Sequence, residues 1–233
     1  MNTNVKTKVW DLPVRIFHWS LAASFAGAYA LSESERLRNV HVTLGYTVLG
    51  LIAFRIFWGL VGSRYARFSS FLYGPASALR YLRDALAGRP GQYAGHNPAG
   101  SWAVYAILLF GTATGMSGYL NFNDIGGEGM EEIHGALANA WLIVVGVHVL
   151  GVVFSSIAHR ENLAKAMLTG YKQGAGSASI PGSAPAVGIA MAAAVLGLWG
   201  WSLLSAGSLP PGAGAASDQE QDALVENEEN GDD

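Results

Sequence analysis

His148 follows His134 by 14 residues within the apolar stretch IHGALANAWLIVVGVHVLGVVFSSIAH, and imidazoles at that spacing can ligate metal. In a helix, 14 steps of about 100° end about 40° short of four turns, so both rings leave one face, roughly 21 Å apart along the axis. A hydrocarbon layer about 30 Å thick would hold one ring near each edge. An ionisable side chain at such a depth marks a functional site. Two on one face, at two depths, point to two stacked haems.

The composition agrees with a membrane setting. Of 233 residues, 51% are hydrophobic and 13% charged, where a soluble domain carries about 25% charged residues. The chain has no cysteine, which excludes disulfides, cysteine-ligated iron–sulfur clusters and covalently attached haem c. Any haem is therefore held by His or Met. The polar start MNTNVKTKVWDLP has no apolar core or cleavage site, so no secretory signal is expected.

Five segments are apolar and long enough to cross: Val14–Leu31, His41–Val61, Ser101–Leu120, Glu131–Ala158 and Ala184–Leu204. Asn97-Pro98 supplies a cap and a first-turn proline for the third. With a cytoplasmic N-terminus, the inner segments hold Lys6, Lys8, Arg15, Arg64, Arg67, Arg80, Arg83, Arg89, Arg160, Lys165 and Lys172, and the outer ones only Arg36 and Arg38. That bias sets the orientation and puts the C-terminus on the periplasmic side of a bacterial inner membrane. Pro75–Gly88 reads as an amphipathic helix, with Leu79, Leu82 and Leu86 on one face and Arg80 and Arg83 off it. It suits the inner membrane surface or an ordinary packed loop.

Depth then sorts the histidines. His18 opens the first span inside, His148 lies deep in the fourth toward the inside, and His41 and His134 open their spans outside. The inner pair is His18 with His148 and the outer pair His41 with His134, each able to give one iron two axial imidazoles. The alternative is four isolated His satisfied by hydrogen bonds between helices.

Arg55 lies 14 residues after His41, on the same face at the inner level. It could hold a haem propionate or snorkel to the interface. Arg15 is a second propionate candidate, or an ordinary anchor. His96 in GHNPAG and His159 in HREN are interfacial or capping residues, or else quinone and proton contacts. Gly111, Gly115 and Gly118 let backbones or a flat macrocycle approach closely.

The segments VWDLPVRIFHW, HVTLGY, FRIFWGLVGSRYARF, GHNPAG and HREN together resemble the bacterial di-haem cytochrome b561 family, which includes the b-type cytochrome subunits of nickel–iron hydrogenases. The resemblance runs over about Val9–Lys172. It implies a four-helix bundle binding two haem b and exchanging electrons with quinone. It also implies one ligand on the first helix, one on the second and two on the fourth, which His18, His41, His134 and His148 match.

The expected fold is therefore all-α and membrane-integral: a four-helix haem bundle plus a fifth C-terminal span. The expected organisation is a di-haem domain over 1–173, a flexible Gly/Ser/Ala linker over 174–183, an accessory span over 184–204 and an acidic disordered tail over 205–233. The tail carries Asp218, Glu220, Asp222, Glu226, Glu228, Glu229, Asp232 and Asp233, and is either a dock for a basic partner or simply solvated. The expected function is electron transfer across the membrane between quinone and a redox partner, either a cytochrome c or an oxidoreductase subunit. Lipid is a further partner, a homodimer is open and nucleic acid is not expected. The alternatives are a quinone oxidoreductase using a small reductant such as superoxide, and a haem-free transporter or membrane anchor. Against the transporter stands the lack of acidic residues inside the spans.

Overall fold

The computed structural model describes residues 6–127, 129–173 and 179–207. The acidic residues of the tail and residues 174–178 of the expected linker lie outside that range. The elements in chain order are β1 (Lys6–Lys8), α1 (Leu12–Ala30), α2 (Arg38–Val61), α3 (Pro75–Leu86), α4 (Pro98–Phe122), α5 (Gly129–His159), α6 (Leu163–Thr169), β2 (Tyr171–Gln173) and α7 (Pro185–Gly207).

Local chemistry explains where the helices begin. Asp11 Oδ1 accepts the Val14 amide at 2.8 Å and so caps α1, while its Oδ2 accepts the Trp58 indole N–H at 2.9 Å and ties that cap to α2. Asn97 caps α4 through the Gly100 amide at 2.7 Å, and its side-chain amide donates to the Tyr81 hydroxyl of α3 at 3.0 Å. Asn162 caps α6 through the Lys165 amide at 2.8 Å. The polar letters of WDLP, GHNP and HREN are thus helix starts, where a side-chain oxygen satisfies an otherwise orphaned amide.

The bundle is not purely helical. β1 and β2 pair antiparallel, with Thr7 opposite Lys172, and bring both ends of the helical core together. Sequence periodicity misses them because each strand has three residues. Gly170, at φ 88°, makes the turn into β2, and a Cβ there would meet the Trp10 carbonyl at 2.8 Å. The described end of the expected linker is held rather than loose. Ile180 is buried and donates to the Lys8 carbonyl, and Ser183 accepts the Leu12 amide.

Among the described residues, four stretches are long and apolar enough to cross a membrane: Glu35–Val61, Pro98–Phe122, Gly129–His159 and Pro185–Ser205. The 19-residue α1 is not among them, since Arg15, His18, Trp19 and Ser20 fall in its first half. It reaches about 28 Å, close to the hydrocarbon thickness. The helices run beyond the sequence-based bounds by one to three residues at most ends, the usual uncertainty of helix termini.

The core draws Phe17, Leu21 and Phe25 from α1, Val48, Leu51 and Ile52 from α2, Leu108 from α4, Trp141 from α5 and Val195 from α7. α7 is accessory in sequence yet integral in packing: Trp199 donates to the Thr47 hydroxyl at 3.3 Å and Ser202 to that of Thr43 at 3.0 Å. α4 and α5 approach closely because α4 presents glycines. A Cβ on Gly111 would lie 2.7 Å from Trp141, and one on Gly118 would lie 2.9 Å from His134. α5 meets α1 through side chains, with Tyr29 donating to Asn139 Oδ1 at 2.8 Å and Phe25 packing on Trp141 at 4.5 Å.

Candidate functional site

The four histidines of interest meet two by two, at opposite ends of the bundle. At the end carrying β1 and β2, here the β end, His18 of α1 and His148 of α5 have ring centroids 6.5 Å apart with planes at 57°. At the far end, His41 of α2 and His134 of α5 stand 6.2 Å apart at 82°. The pairing matches the depth argument from sequence, and all four imidazoles are half-buried.

The spacing can be tested against a shared metal. With metal–nitrogen bonds of about 2.0 Å, as for zinc–imidazole, and about 1.1 Å from nitrogen to ring centre, two axial imidazoles stand roughly 6 Å apart between centroids. Both pairs fall near that separation, with their rings inclined rather than stacked in parallel. Among the described residues there is no cluster of three or more His, Cys, Asp or Glu, so each pair is a two-ligand arrangement. That suits a metal whose equatorial positions are filled by a macrocycle.

The far-end rings are fixed by backbone. His41 Nδ1 lies 2.8 Å from the Ala28 carbonyl, and His134 Nδ1 lies 3.1 Å from the Thr114 carbonyl and 3.2 Å from the Ser117 hydroxyl. With the proton on Nδ1, each ring donates to a carbonyl and leaves Nε2 with its lone pair for a metal. Gly118 provides the room His134 needs.

The β-end rings lack such anchors. His18 Nδ1 is buried without a partner among the described residues. Around it the charge is positive. Arg55 is 2% exposed, which rules out snorkelling, and its guanidinium lies over Phe68 at 4.8 Å and Phe71 at 5.9 Å. Its Nη1 has no hydrogen-bond partner among the described residues. His96 packs between Phe71 at 4.5 Å and Trp10 at 4.8 Å, with Nδ1 buried and unpartnered. Burial, and then the charges of Arg55, Lys172, His148 and His18, push the His96 imidazole down to about 3. Lys172 donates to the Tyr93 carbonyl at 2.8 Å, and burial lowers its pKa as well.

The remaining candidates have structural partners. Arg15 donates to the Leu168 carbonyl at the end of α6, although its Nε is buried and unpartnered. His159 has Nδ1 2.9 Å from the Ser155 carbonyl and Nε2 3.1 Å from the Gly91 carbonyl, so it caps α5 and ties down the loop before α4.

Sequence reasoning passed over Trp141 and its partner Phe25. Trp141 falls seven residues after His134 and seven before His148, midway between the two levels on their face. It is 3% exposed and its indole N–H has no partner among the described residues. The signal that could have found it is the heptad spacing of an aromatic inside the His–His interval.

Comparison with known proteins points one way. The family model for prokaryotic cytochrome b561 matches residues 9–170. The chain is similar to the probable Ni/Fe-hydrogenase B-type cytochrome subunit of Rhizobium leguminosarum bv. viciae, at 23% identity over 213 residues, covering 70% of this chain and 87% of that one. The corresponding subunit of Cupriavidus necator is 24% identical, covering 71% and 86% of the two chains. The probable Ni/Fe-hydrogenase 1 B-type cytochrome subunit of Escherichia coli K12 is 24% identical, covering 70% and 89%. No solved structure matches the chain.

Proposed function

The chain belongs to the prokaryotic cytochrome b561 family, and from that premise we propose that it carries electrons across the bacterial inner membrane through two haem b groups, one at each His pair. It is a multi-pass membrane b-type cytochrome. The observation that carries the two-haem reading is the recurrence of metal-bridging spacing, 6.5 Å for His18–His148 and 6.2 Å for His41–His134, at opposite ends of one bundle.

The bound group supplies iron that cycles between ferric and ferrous. The protein's part is to grip and tune it. His18 and His148 would hold one haem through their imidazoles at the β end, and His41 and His134 the other at the far end. The carbonyls of Ala28 and Thr114 hold the far-end rings in one tautomer and make them more basic. Arg55 serves as a propionate partner at the β end, and Arg15 as a lesser one, because its guanidinium is already engaged with α6. The apolar bundle, including Trp141 between the two levels, keeps water from the path.

The excess of basic residues in the segments around β1, α3 and α6 supports placing the β end in the cytoplasm, with α1 as a fifth span. α7 then crosses outward, and the tail is periplasmic. Quinone exchanges electrons near the β end. The relatives' names support an oxidoreductase subunit as the partner. Residues 1–173 form the haem-carrying unit, with α7 as a helix added against α1 and α2.

A dithionite-reduced minus oxidised spectrum of the purified chain, with haem quantified per polypeptide, tests this. Two b-type haems per chain are expected. A single haem would mean one pair is misassigned, and none from haem-replete cells would end the electron-transfer reading.

A further inference from the structure

The β end gathers two cations, the buried Arg55 and the half-buried Lys172, around the neutral ring of His96. His96 lies within electrostatic reach of both His18 and His148, and the positive charges of Arg55 and Lys172 also act on it. The acidic groups nearby, Asp11 toward Arg55 and Glu161 toward Lys172, act on these cations without a direct ion pair among the described residues. Asp11 accepts from the Val14 amide and the Trp58 indole, and Glu161 accepts from the Gln173 amide at 2.6 Å. The ion pair found among the described residues, Arg83 with Asp84, is exposed and elsewhere.

Two of these groups also carry unused polar atoms. Arg55 Nη1 and His96 Nδ1 are both buried and unpartnered among the described residues. They belong to one box: Phe71 touches both, with the guanidinium 5.9 Å from its ring centre and the His96 ring 4.5 Å from it. Phe68 and Trp10 close the sides. A buried guanidinium with an open N–H is costly, and an aromatic face compensates only part of its charge. Rigid aromatic walls, one fixed cation and a second N–H-capable ring make a site for a planar anion accepting two hydrogen bonds.

We infer that Arg55 and His96 form a single cradle for a carboxylate, the propionate of the haem held by His18 and His148. This rests on the proposed haem at that pair. It goes further by giving His96 a positioning role and by joining two residues 41 positions apart in one anion site. His96 then belongs to the haem's carboxylate rather than to quinone. Among the described residues the far end shows no buried cation with an unpartnered N–H, its Arg38 being exposed over the Phe122 ring at 6.0 Å.

The test is a spectroelectrochemical titration of the full-length holoprotein, in which the β-end haem is the component lost in His148→Ala. Arg55→Leu leaves the propionate charge uncompensated and favours ferric iron. The expected result is an approximately tenfold rise in the ferric/ferrous ratio of that haem at fixed potential, equivalent to about 59 mV for one electron. His96→Leu shifts the ratio in the same direction by about threefold, while Arg55→Lys and His96→Gln, which keep the donor, stay within about twofold. The double Leu variant shifts it by less than the product of the single effects, because both act on one carboxylate.

A ratio within about twofold of the parent in both Leu variants, or a double variant equal to the product, overturns the cradle. An Arg55→Leu effect that disappears when acetate is withdrawn from the buffer assigns the site to a soluble carboxylate and overturns the propionate. If His148→Ala removes no haem component, the reading of the His18–His148 pair fails and the cradle fails with it. A loss in His148→Ala with unmoved Arg55 and His96 variants sinks the cradle alone.

Discussion

The two ends of the bundle reach the same His–His separation by different means. At the far end, both rings sit near helix mouths and donate Nδ1–H to carbonyls of neighbouring turns, so backbone geometry fixes them before any ligand arrives. At the β end, His18 Nδ1 has no partner among the described residues, and nearby the buried Arg55 Nη1 and His96 Nδ1 also lack one. One site is finished by the polypeptide. The other keeps buried polar atoms that no described residue satisfies. Carbonyls that accept from a ring N–H set its tautomer and angle, and a buried cation such as Arg55 sets the local charge balance. The two sites should therefore respond to different substitutions.

The largest effect expected is selective loss of haem. His148→Ala should remove one haem and leave the other, and His41→Ala should do the reverse, as read by haem per chain and by the number of components in a redox titration. Loss of both haems from either variant would mean that the ends are not independent.

Next is Gly118→Val. Its Cβ would sit 2.9 Å from His134 Cε1, against a ring with little room to retreat. The far-end haem should be lost or spectrally broadened while the β-end one is unchanged. Gly111→Val is the control, since its Cβ meets Trp141 and Ile52 instead. It should cost about 1–3 kcal/mol of stability by overpacking and spare both ligand sets.

A smaller effect is expected from Ser117→Ala. The Thr114 carbonyl still accepts from His134, so far-end haem retention should fall by about tenfold at most, the low end for loss of a group that orients a ligand. Washing the detergent-solubilised protein against a haem scavenger would measure it. A loss as large as that from His41→Ala would mean that the hydroxyl, not the carbonyl, holds the ring.

The smallest concerns acid stability. His96 is held down to about 3 in the folded chain against an ordinary 6.5, so it stays neutral while the unfolded chain takes up a proton. Stability from this group is complete above about 6.5 and is lost as pH falls toward 3. His96→Gln removes that term, so its thermal midpoint should fall less than that of the parent between pH 6.5 and 4. A bound carboxylate beside Arg55 would weaken the parent's acid sensitivity, so haem-loaded and haem-stripped protein should differ in the same direction.

Much of this was legible in one dimension. The spacing of His134 and His148 on one apolar helix, with His18 and His41 at opposite mouths, predicts both pairs, and the structure brings those partners together. Arg55 was legible as an in-span cation, but its burial was not, because snorkelling and pairing look alike until Phe68 and Phe71 are seen over the guanidinium. The strands β1 and β2 were invisible because three residues carry no periodicity and the partners are more than 160 positions apart. The role of α7 was underread for a similar reason. A helix rich in Ala and Gly shows no face of its own, and only the hydroxyls of Thr43 and Thr47 reveal which side it covers.

The sequence by itself determined that the chain is membrane-embedded, mostly helical and built around paired histidines. Hydrophobicity, period and depth are local properties, and each can be read along a single helix. Only the tertiary structure decided which polar atoms are satisfied. Hydrogen-bond satisfaction depends on groups from different helices meeting in space. The Ala28 and Thr114 carbonyls complete the far-end rings, whereas Arg55 and His96 meet at Phe71 with donors unmet.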